Sequence, residues 1–316
     1  MKKKNSIVLL FLMILVSACN GGPGKITVGY VQINEDVVLN VAKEGVFEAL
    51  ADSGFIVGET IKLIDNNAQG DLSMIITILQ SLQSRGVDLI ITNSTPCMVA
   101  AAQLISDIPV VFTVTFGPSQ MGIKTIPDNI YGFYDPLDSK NFADMLLEIL
   151  PRTKRIGIPY NNAEPNASYS AEKFSKEFES RGIEVVKSAL TSVNDIVMVG
   201  QNLLAQKIDA LIVTADNTVY SGLNALSKIA GEANVPLFVS DPLQAEKGAA
   251  VGMGVNYRQW GYLSGLKAVE ILRGRTPAKR IEAIEGTDFV INEKACMDQM
   301  LFVPPAIKGK ARLIAD

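Results

Sequence analysis

Two kinds of apolar pattern alternate along this chain. Short continuous apolar runs, such as 26–30, 89–91 and 108–112, are typical of strands that are buried on both faces. Between these runs, apolar residues recur every three or four positions and predict amphipathic helices, for example with Leu39 and Val46 on one face. A second such stripe is expected in the core, in a helix that Asp71 is placed to cap, and it consists of Leu72, Ile75, Ile76, Leu79 and Leu82. The alternation therefore predicts an α/β protein.

The same order of elements occurs twice. Gly29 lies in the first predicted strand, and Gly157 lies in an equivalent strand 128 residues later. Pro109 and Pro236 precede two further apolar runs and are 127 residues apart. Each half has the order strand, helix, strand, helix, strand, helix, strand, which favours a parallel sheet with helices on both faces. We therefore expect two doubly wound parallel-sheet lobes joined by a hinge.

The repeat and the N-terminal segment suggest the domain boundaries. Residues 25–115 together with about 242–285 are assigned to the first lobe. Residues 116–241 together with about 286–316 are assigned to the second lobe. Residues 1–18 are assigned to a signal peptide, and residues 19–24 to a lipidated tether.

The N-terminal segment resembles the signal peptide of a bacterial lipoprotein. Three lysines at positions 2–4 precede the apolar run 7–16, and Ser17-Ala18-Cys19 follows. The run is too short to span a bilayer comfortably, so a retained transmembrane helix is the weaker interpretation. Cleavage before Cys19 and lipidation of its thiol would tether the protein outside the cytoplasmic membrane, facing the periplasm or the cell exterior. An ordinary secretory signal is the alternative.

The composition excludes several functions. The chain has 316 residues and no histidine, which excludes Ser-His-Asp and Cys-His catalysis and His-ligated metal sites. Its formal charge of −4 becomes −7 after cleavage, because residues 1–18 contain three lysines and no acids. A negative surface argues against nucleic acid as a partner. Neither a metal nor a cofactor is expected, since C-x-x-C pairs and phosphate-binding glycine loops are also missing from the sequence.

The two cysteines beyond Cys19 are Cys97 and Cys296. One long-range disulfide between them is possible, but we expect two buried free thiols.

Polar residues follow the predicted strands in both halves. Ligands bind beyond the carboxyl ends of the strands of open parallel sheets, and two lobes that face each other form a cleft there. A carboxylate in such a cleft is the natural partner of a ligand ammonium group. The candidate binding residues at these strand ends are Glu35, Ser94, Thr95, Asn161, Asn162, Asp216, Asn217 and Asp241.

Several of these residues also have a purely structural interpretation. Thr95 and Asp216 are expected to cap the helices that follow them, which does not exclude contact with a ligand. Asn161 is of a type common where a loop needs unusual backbone angles, and acids such as Glu35 are favoured near helix starts by the helix dipole. Trp260, in the predicted helix 257–272, is expected to be a packing residue.

The order and spacing of several segments resemble the substrate-binding lipoproteins of ABC importers of the tryptophan/tyrosine type. The resemblance covers essentially the whole mature chain. It rests on Asn67-Ala68-Gln69-Gly70-Asp71, Thr95-Pro96 and the segments 107–112, 214–218, 289–292, 303–305 and 311–314.

This resemblance implies a clamshell of the type I periplasmic-binding-protein kind, which closes on an aromatic L-amino acid and delivers it to a membrane permease. At the matching positions it implies that Thr95 contacts the ligand carboxylate and Asp216 the ammonium group. It also implies polar contacts on the hinge side from Asn161, Asn162 and Asn217.

Two loops depart from the family pattern. Residues 34–37 read Asn-Glu-Asp-Val where a Glu-His-Pro-like segment is common, which leaves the identity of the bound side chain open. Residues 115–118 read Thr-Phe-Gly-Pro where an aspartate is usual, and Phe116 is a candidate stacking surface.

The resulting hypothesis is a monomeric, membrane-anchored, extracytoplasmic protein that binds a small amino-acid-like solute by hinge closure and passes it to an ABC permease. One alternative is a sensory or adhesive surface lipoprotein that is not coupled to transport. Another is an exported enzyme that uses carboxylates in the cleft, although the missing histidine favours binding over catalysis.

Overall fold

The computed structural model describes residues 25–315, and the predicted signal peptide, Cys19 and the tether lie outside this range. The strands and helices alternate along most of the chain. In order they are β1 (Ile26–Gln32), α1 (Val37–Asp52), β2 (Ile61–Asn67), α2 (Leu72–Ser84), β3 (Leu89–Asn93), α3 (Thr95–Leu104), β4 (Val110–Thr113), β5 (Ile130–Tyr134), α4 (Ser139–Ile149), β6 (Arg155–Asn161), α5 (Pro165–Ser180), β7 (Glu184–Leu190), α6 (Ile196–Leu204), β8 (Ala210–Val213), α7 (Asn217–Ser221), α8 (Leu223–Glu232), β9 (Leu237–Val239), β10 (Val251–Gly254), α9 (Tyr257–Leu272), β11 (Ile281–Ala283), β12 (Asp288–Asn292), α10 (Glu293–Asp298), α11 (Pro305–Lys308) and β13 (Arg312–Ile314). Short 3-10 helices occupy Val193–Asp195 and Pro242–Lys247.

The strands form two sheets, one in each lobe. The first sheet has the order β11-β5-β4-β3-β1-β2, and all its pairs are parallel. The second has the order β13-β12-β10-β9-β8-β6-β7 and is parallel except for the pair β10 and β12. Two doubly wound α/β lobes were predicted, and the sheets confirm them.

The two repeated glycines occupy equivalent places in the two sheets. Gly29 of β1 pairs with β2 on one side and β3 on the other, and Gly157 of β6 pairs in the same way with β7 and β8. A Cβ atom at Gly29 would come within 2.8 Å of the Leu82 side chain, and one at Gly157 within 2.7 Å of Ile208. Glycine therefore recurs because the core side chains covering both strands leave no room for a Cβ.

The lobe boundaries differ from the predicted ones. The segment 116–241 was assigned to the second lobe, but its strand β5 pairs with β4 in the first sheet. The segment 242–285 was assigned to the first lobe, but its strand β10 pairs with β9 in the second sheet. The chain crosses between the lobes at 135–138, 255–256 and 284–287. Hydrogen-bond pairing determines these crossings, and the periodicity of a sequence does not specify which strand a given strand pairs with.

Helix α2 shows how local signals position the elements. Asp71 caps it by accepting a hydrogen bond from the Ser73 amide at 2.8 Å, as predicted. Its buried face consists of Ile75, Ile78, Leu79 and Leu82. Two further positions expected in the core, Leu72 and Ile76, are instead 37% and 44% exposed, because the stripe that faces the sheet is narrower than the apolar pattern.

Helices α1 and α9 come from distant parts of the chain and pack in close contact. Added Cβ atoms at Gly45 and Gly261 would collide with the backbone carbonyls of Arg258 and Ala42. A Cβ at Gly265 would lie 2.6 Å from the Val46 carbonyl oxygen. The three glycines thus let α9 approach α1, and this packing fixes the start of α9 beside the first sheet.

Cys97 and Cys296 are free and buried in separate hydrophobic clusters, one in each lobe, as expected. Burial raises the pKa of the Cys97 thiol to about 12 and that of Cys296 to about 11. Within residues 25–315 no helix is long and apolar enough to cross a membrane.

Candidate ligand-binding site

A cavity lies between the lobes at the carboxyl ends of the strands. The first lobe and the hinge provide Val38, Leu39, Thr95, Val114, Thr115, Phe116, Asp135, Tyr257 and Trp260, and the second lobe provides Asn166, Ala215, Asp216, Asn217 and Tyr220. A ligand in this cavity would contact both lobes.

Three of the predicted binding residues, Thr95, Asp216 and Asn217, line this cavity. Phe116, the predicted stacking residue, also lines it. Thr95 is the first residue of α3, and the N-cap position belongs to Ser94, so the predicted capping role of Thr95 is wrong. The Thr95 hydroxyl therefore remains at the cavity, where it accepts a long hydrogen bond of 3.4 Å from the Phe116 amide.

Asp216 is a buried carboxylate at the start of α7. It caps this helix, as predicted, by accepting from the Val219 amide at 2.9 Å, and its other oxygen accepts from the Asn161 amide at 2.6 Å. Burial, followed by the negative charge of Glu164, raises the pKa of Asp216 to about 7. Asp216 is therefore held in a fixed position by backbone hydrogen bonds, and its carboxylate takes up a proton near pH 7 unless a positive charge lies next to it.

Glu164 does not line the cavity, but it accepts hydrogen bonds from the residues next to Asp216. Its carboxylate is 3% exposed and accepts from the Asn217 side chain at 2.5 Å and from the Thr218 hydroxyl at 2.6 Å. It also accepts from the Asn166 amide group at 3.1 Å, while the second hydrogen of that group goes to the Ala215 carbonyl at 2.9 Å. The Oδ1 atom of Asn166 is buried and has no hydrogen-bond partner among residues 25–315.

The other predicted residues lie outside the cavity lining. Glu35 is exposed and accepts from Asn67 at 2.7 Å, and Asn162 is exposed as well. Asn161 is buried, where its amide holds Asp216 and its side chain donates to Thr218 at 2.8 Å. Asn161 therefore holds the cavity-lining residue Asp216 in place and does not itself line the cavity.

Ser94 and Asp241 are buried and are also absent from the cavity wall. Ser94 has φ 114° at the start of α3, and its Oγ atom has no hydrogen-bond partner within residues 25–315. Asp241 caps the 3-10 helix Pro242–Lys247 through the Leu243 amide at 3.0 Å. Burial, and next the charge of Asp36, raise the pKa of Asp241 well above its ordinary value.

Apart from Phe116, sequence reasoning did not assign the aromatic wall of the cavity, and it did not assign Asp135. Trp260 lines the cavity, where its Nε1–H donates to the Phe133 carbonyl at 2.7 Å, and its ring lies 5.7 Å from that of Tyr257. Burial raises the pKa of Tyr220 and of Tyr257, so both phenols stay protonated near neutral pH. Trp260 was expected only to pack, because nothing in a helical pattern shows that α9 begins beside a cleft.

Polar contacts also join the two lobes outside the cavity. The Asn34 side chain donates to the Ser221 hydroxyl at 2.9 Å and to the Asn217 carbonyl at 3.3 Å. Asp36, the N-cap of α1, accepts from Gln244 at 2.8 Å and from Lys247 at 2.5 Å. These contacts link the two lobes directly.

Within residues 25–315 no group of three or more cysteine, aspartate or glutamate side chains is placed to hold a metal ion.

The two-lobed fold with a cavity between the lobes is that of a solute-binding protein. The chain belongs to the ABC transporter substrate binding protein family, whose family model matches residues 26–313. Proteins of this family work outside the cytoplasm, and the same follows for this chain.

Individual relatives are similar over most of their length. A tyrosine-binding protein from Clostridioides difficile strain R20291 is 30% identical over 271 residues, which are 84% of this chain and 78% of the relative. A solved ABC domain from Streptococcus pneumonia in complex with L-Trp shares the fold, with a TM-score of 0.86, 24% identity and coverage of 92% of this chain and 100% of the other. A ligand-free, open substrate binding protein with adhesive properties from Clostridium difficile has a TM-score of 0.67 and 30% identity, covering 91% and 98%.

Proposed function

We propose that this protein binds an aromatic L-amino acid between its lobes and presents it to an ABC permease. The observation that carries the proposal is a closed interlobe cavity that combines a buried carboxylate, Asp216, with a wall of four aromatic side chains. The tyrosine-binding relative at 30% identity supports the same ligand class.

The ammonium group of the ligand is assigned to Asp216 and Asn166. Asp216 provides negative charge, and the Oδ1 atom of Asn166 is a buried acceptor that lacks a donor. An ammonium group has three donors and no acceptor, so it satisfies both residues. Its positive charge also favours the ionised form of Asp216.

The ligand carboxylate is assigned to the first lobe. Thr95 offers a hydroxyl at the start of α3, where backbone N–H groups and the helix dipole favour an anion. The side chain of the ligand then lies among Phe116, Tyr220, Tyr257 and Trp260, where apolar burial and ring packing contribute to affinity.

Closure of the lobes is the proposed mechanism. The cavity residues come from both lobes, so a bound amino acid stabilises the closed form relative to the open one. The permease then recognises the closed form. The family and the fold are those of solute-binding proteins, and the proposal includes no catalytic step. We further propose that the protein is a monomer held at the membrane by a lipid on Cys19, as the N-terminal pattern favours.

Isothermal titration calorimetry of the purified protein with L-Tyr, L-Trp, L-Phe, L-Leu and myo-inositol tests the proposal. We expect wild type to bind at least one aromatic amino acid. The Asp216→Asn substitution should weaken this binding about 30-fold or more, because losing one partner of a buried charge pair costs about 2–5 kcal/mol. The matched control is Asp71→Asn, which changes another N-cap aspartate outside the cavity and should leave affinity unchanged. Binding of myo-inositol but of no aromatic amino acid would contradict the proposal.

A further inference from the structure

Asp135 lies at the hinge end of the cavity, immediately after β5. It is 9% exposed, and its Oδ1 atom accepts a hydrogen bond of 2.6 Å from the Leu137 amide. Its own amide donates to the Thr115 carbonyl at 3.0 Å. The backbone on both sides thus fixes the position of this carboxylate.

The second carboxylate oxygen of Asp135 has no donor. Lys173 is the cation whose charge acts on this group, but its ammonium donates to the carbonyls of Pro136 at 2.7 Å and Leu137 at 2.6 Å. No other side chain among residues 25–315 donates a hydrogen bond to Asp135. Burial raises the pKa of Asp135 to about 6, so the group is still mainly ionised at pH 7.

No side chain of the cavity wall donates a hydrogen bond to this oxygen within the described residues. Phe116 and Val114 have no polar atom in the side chain, and the single N–H of Trp260 is already donated to Phe133. A largely buried carboxylate is stabilised when a donor reaches its free oxygen, because hydrogen bonds to charged groups are among the stronger ones. A ligand that brings a hydrogen-bond donor to this end of the cavity provides such a bond.

Asp135 and Thr95 follow different strands at the same edge of the first sheet. Thr95 follows β3 and Asp135 follows β5, and β4 lies between these strands. Neighbouring strands are spaced about 4.8 Å apart, so the two residues occupy separate places along the cavity wall. A ligand whose carboxylate meets Thr95 can therefore direct its side chain towards Asp135.

We propose that Asp135 is a specificity-determining residue, which accepts a hydrogen bond from a donor on the aromatic ring of the ligand. The phenol O–H of tyrosine and the indole N–H of tryptophan are such donors, and phenylalanine has none. This inference rests on the proposed function, and it adds that the site prefers tyrosine or tryptophan to phenylalanine. A site with a buried hydrogen-bonding group rejects an analogue that leaves the group unpaired.

Calorimetric titration of wild type, Asp135→Asn and Asp138→Asn with L-Tyr, L-Trp and L-Phe tests this inference. We expect wild type to bind L-Tyr or L-Trp about 10- to 100-fold more tightly than L-Phe, the range for a hydrogen bond to a charged group. In Asp135→Asn the amide oxygen still accepts from Leu137 and the NH₂ group faces the cavity. The preference over L-Phe should then shrink at least about tenfold, and most for L-Trp, because the indole N–H donates and does not accept.

Asp138→Asn is the matched control, since Asp138 caps α4 in the same hinge segment and does not line the interlobe cavity. It should keep the wild-type order of affinities. Equal affinity of wild type for all three amino acids would overturn the inference and leave the proposed function intact. An equal loss for all three in Asp135→Asn would also overturn it, by showing a structural role at the hinge. If wild type bound none of the three, both proposals would fall.

Discussion

Replacing Asn34 by alanine removes two hydrogen bonds that hold the lobes together on the side of the cleft away from the hinge. The Asn34 side chain donates to the Ser221 hydroxyl at 2.9 Å and to the Asn217 carbonyl at 3.3 Å. Asn34 belongs to the first lobe and both acceptors to the second, so these bonds exist only in the closed form. The substitution should therefore favour the open form and weaken ligand binding.

The size of the effect follows from these contacts. A net contribution of ~0.5–1.5 kcal/mol per hydrogen bond, with the 3.3 Å bond at the lower end, gives about 1–2 kcal/mol in favour of the closed form. Ligand affinity is reduced in proportion to the lost population of the closed form, so the dissociation constant should rise about 5- to 30-fold. The cavity lining itself does not include Asn34, so the contacts to the ligand are unchanged.

Isothermal titration with the tightest-binding aromatic amino acid measures the affinity, and small-angle X-ray scattering of the ligand-free protein measures the opening. Glu35→Gln is the matched control, because Glu35 lies in the same loop but its hydrogen bond to Asn67 stays within the first lobe. We expect this control to bind within about twofold of wild type, as for surface substitutions in general. Wild-type affinity in Asn34→Ala, or an equal loss in Glu35→Gln, would refute the role of Asn34 in closure.

Two further predictions concern protonation and packing. The pKa of Asp216 is raised to about 7 in the folded protein, against about 3.9 in an unfolded chain. Between these two values the folded protein keeps a proton on Asp216 that the unfolded chain has lost. The free energy of unfolding should therefore fall as the pH rises from about 4 to 7. In thermal melts of Asp216→Asn, stability should depend less steeply on pH over this range. Amino-acid binding to wild type should weaken as the pH falls through the same range, because the ammonium group of the ligand binds the ionised carboxylate. Gly261→Ala places a methyl group against a backbone carbonyl of α1 and should cost about 1–3 kcal/mol, measured by chemical denaturation. Gly309→Ala is the control for packing, since a Cβ there meets nothing closer than 3.7 Å, and equal stability of the two variants would contradict the packing argument.

Several parts of the site were accessible from the sequence because they depend on local chemistry. Asp216 follows an apolar strand and precedes a helix, and an aspartate in that place caps the helix at the carboxyl edge of the sheet. Thr95 and Asn217 were found by the same reasoning. Glu35 and Asn162 follow strands in the same way but lie exposed, because a strand end points only some of its loop residues into the cleft.

Other parts of the site depend on contacts between distant segments. Helix 257–272 was predicted with the bounds that the structure shows, yet Trp260 was expected only to pack. Its position in the cavity wall follows from the packing of α9 on α1, which the three glycines allow. Asp135 follows β5, and β5 was assigned to the other lobe, so its place at the hinge end of the cavity could not be predicted.

The sequence alone determined the alternation of strands and helices, the twofold repeat and the helix caps at Asp71 and Asp216, because each depends on side chains within a few residues of one another. The tertiary structure decided which sheet β5 and β10 join, where the chain crosses the hinge, and which aromatic and acidic side chains meet in the cavity. These depend on backbone hydrogen bonds and packing between separate elements. Some of these elements are neighbours along the chain, such as β4 and β5, and others are more than one hundred positions apart, such as β5 and β11. Apolar periodicity predicts only which residues are buried. The residues against which they pack are determined when the whole chain folds.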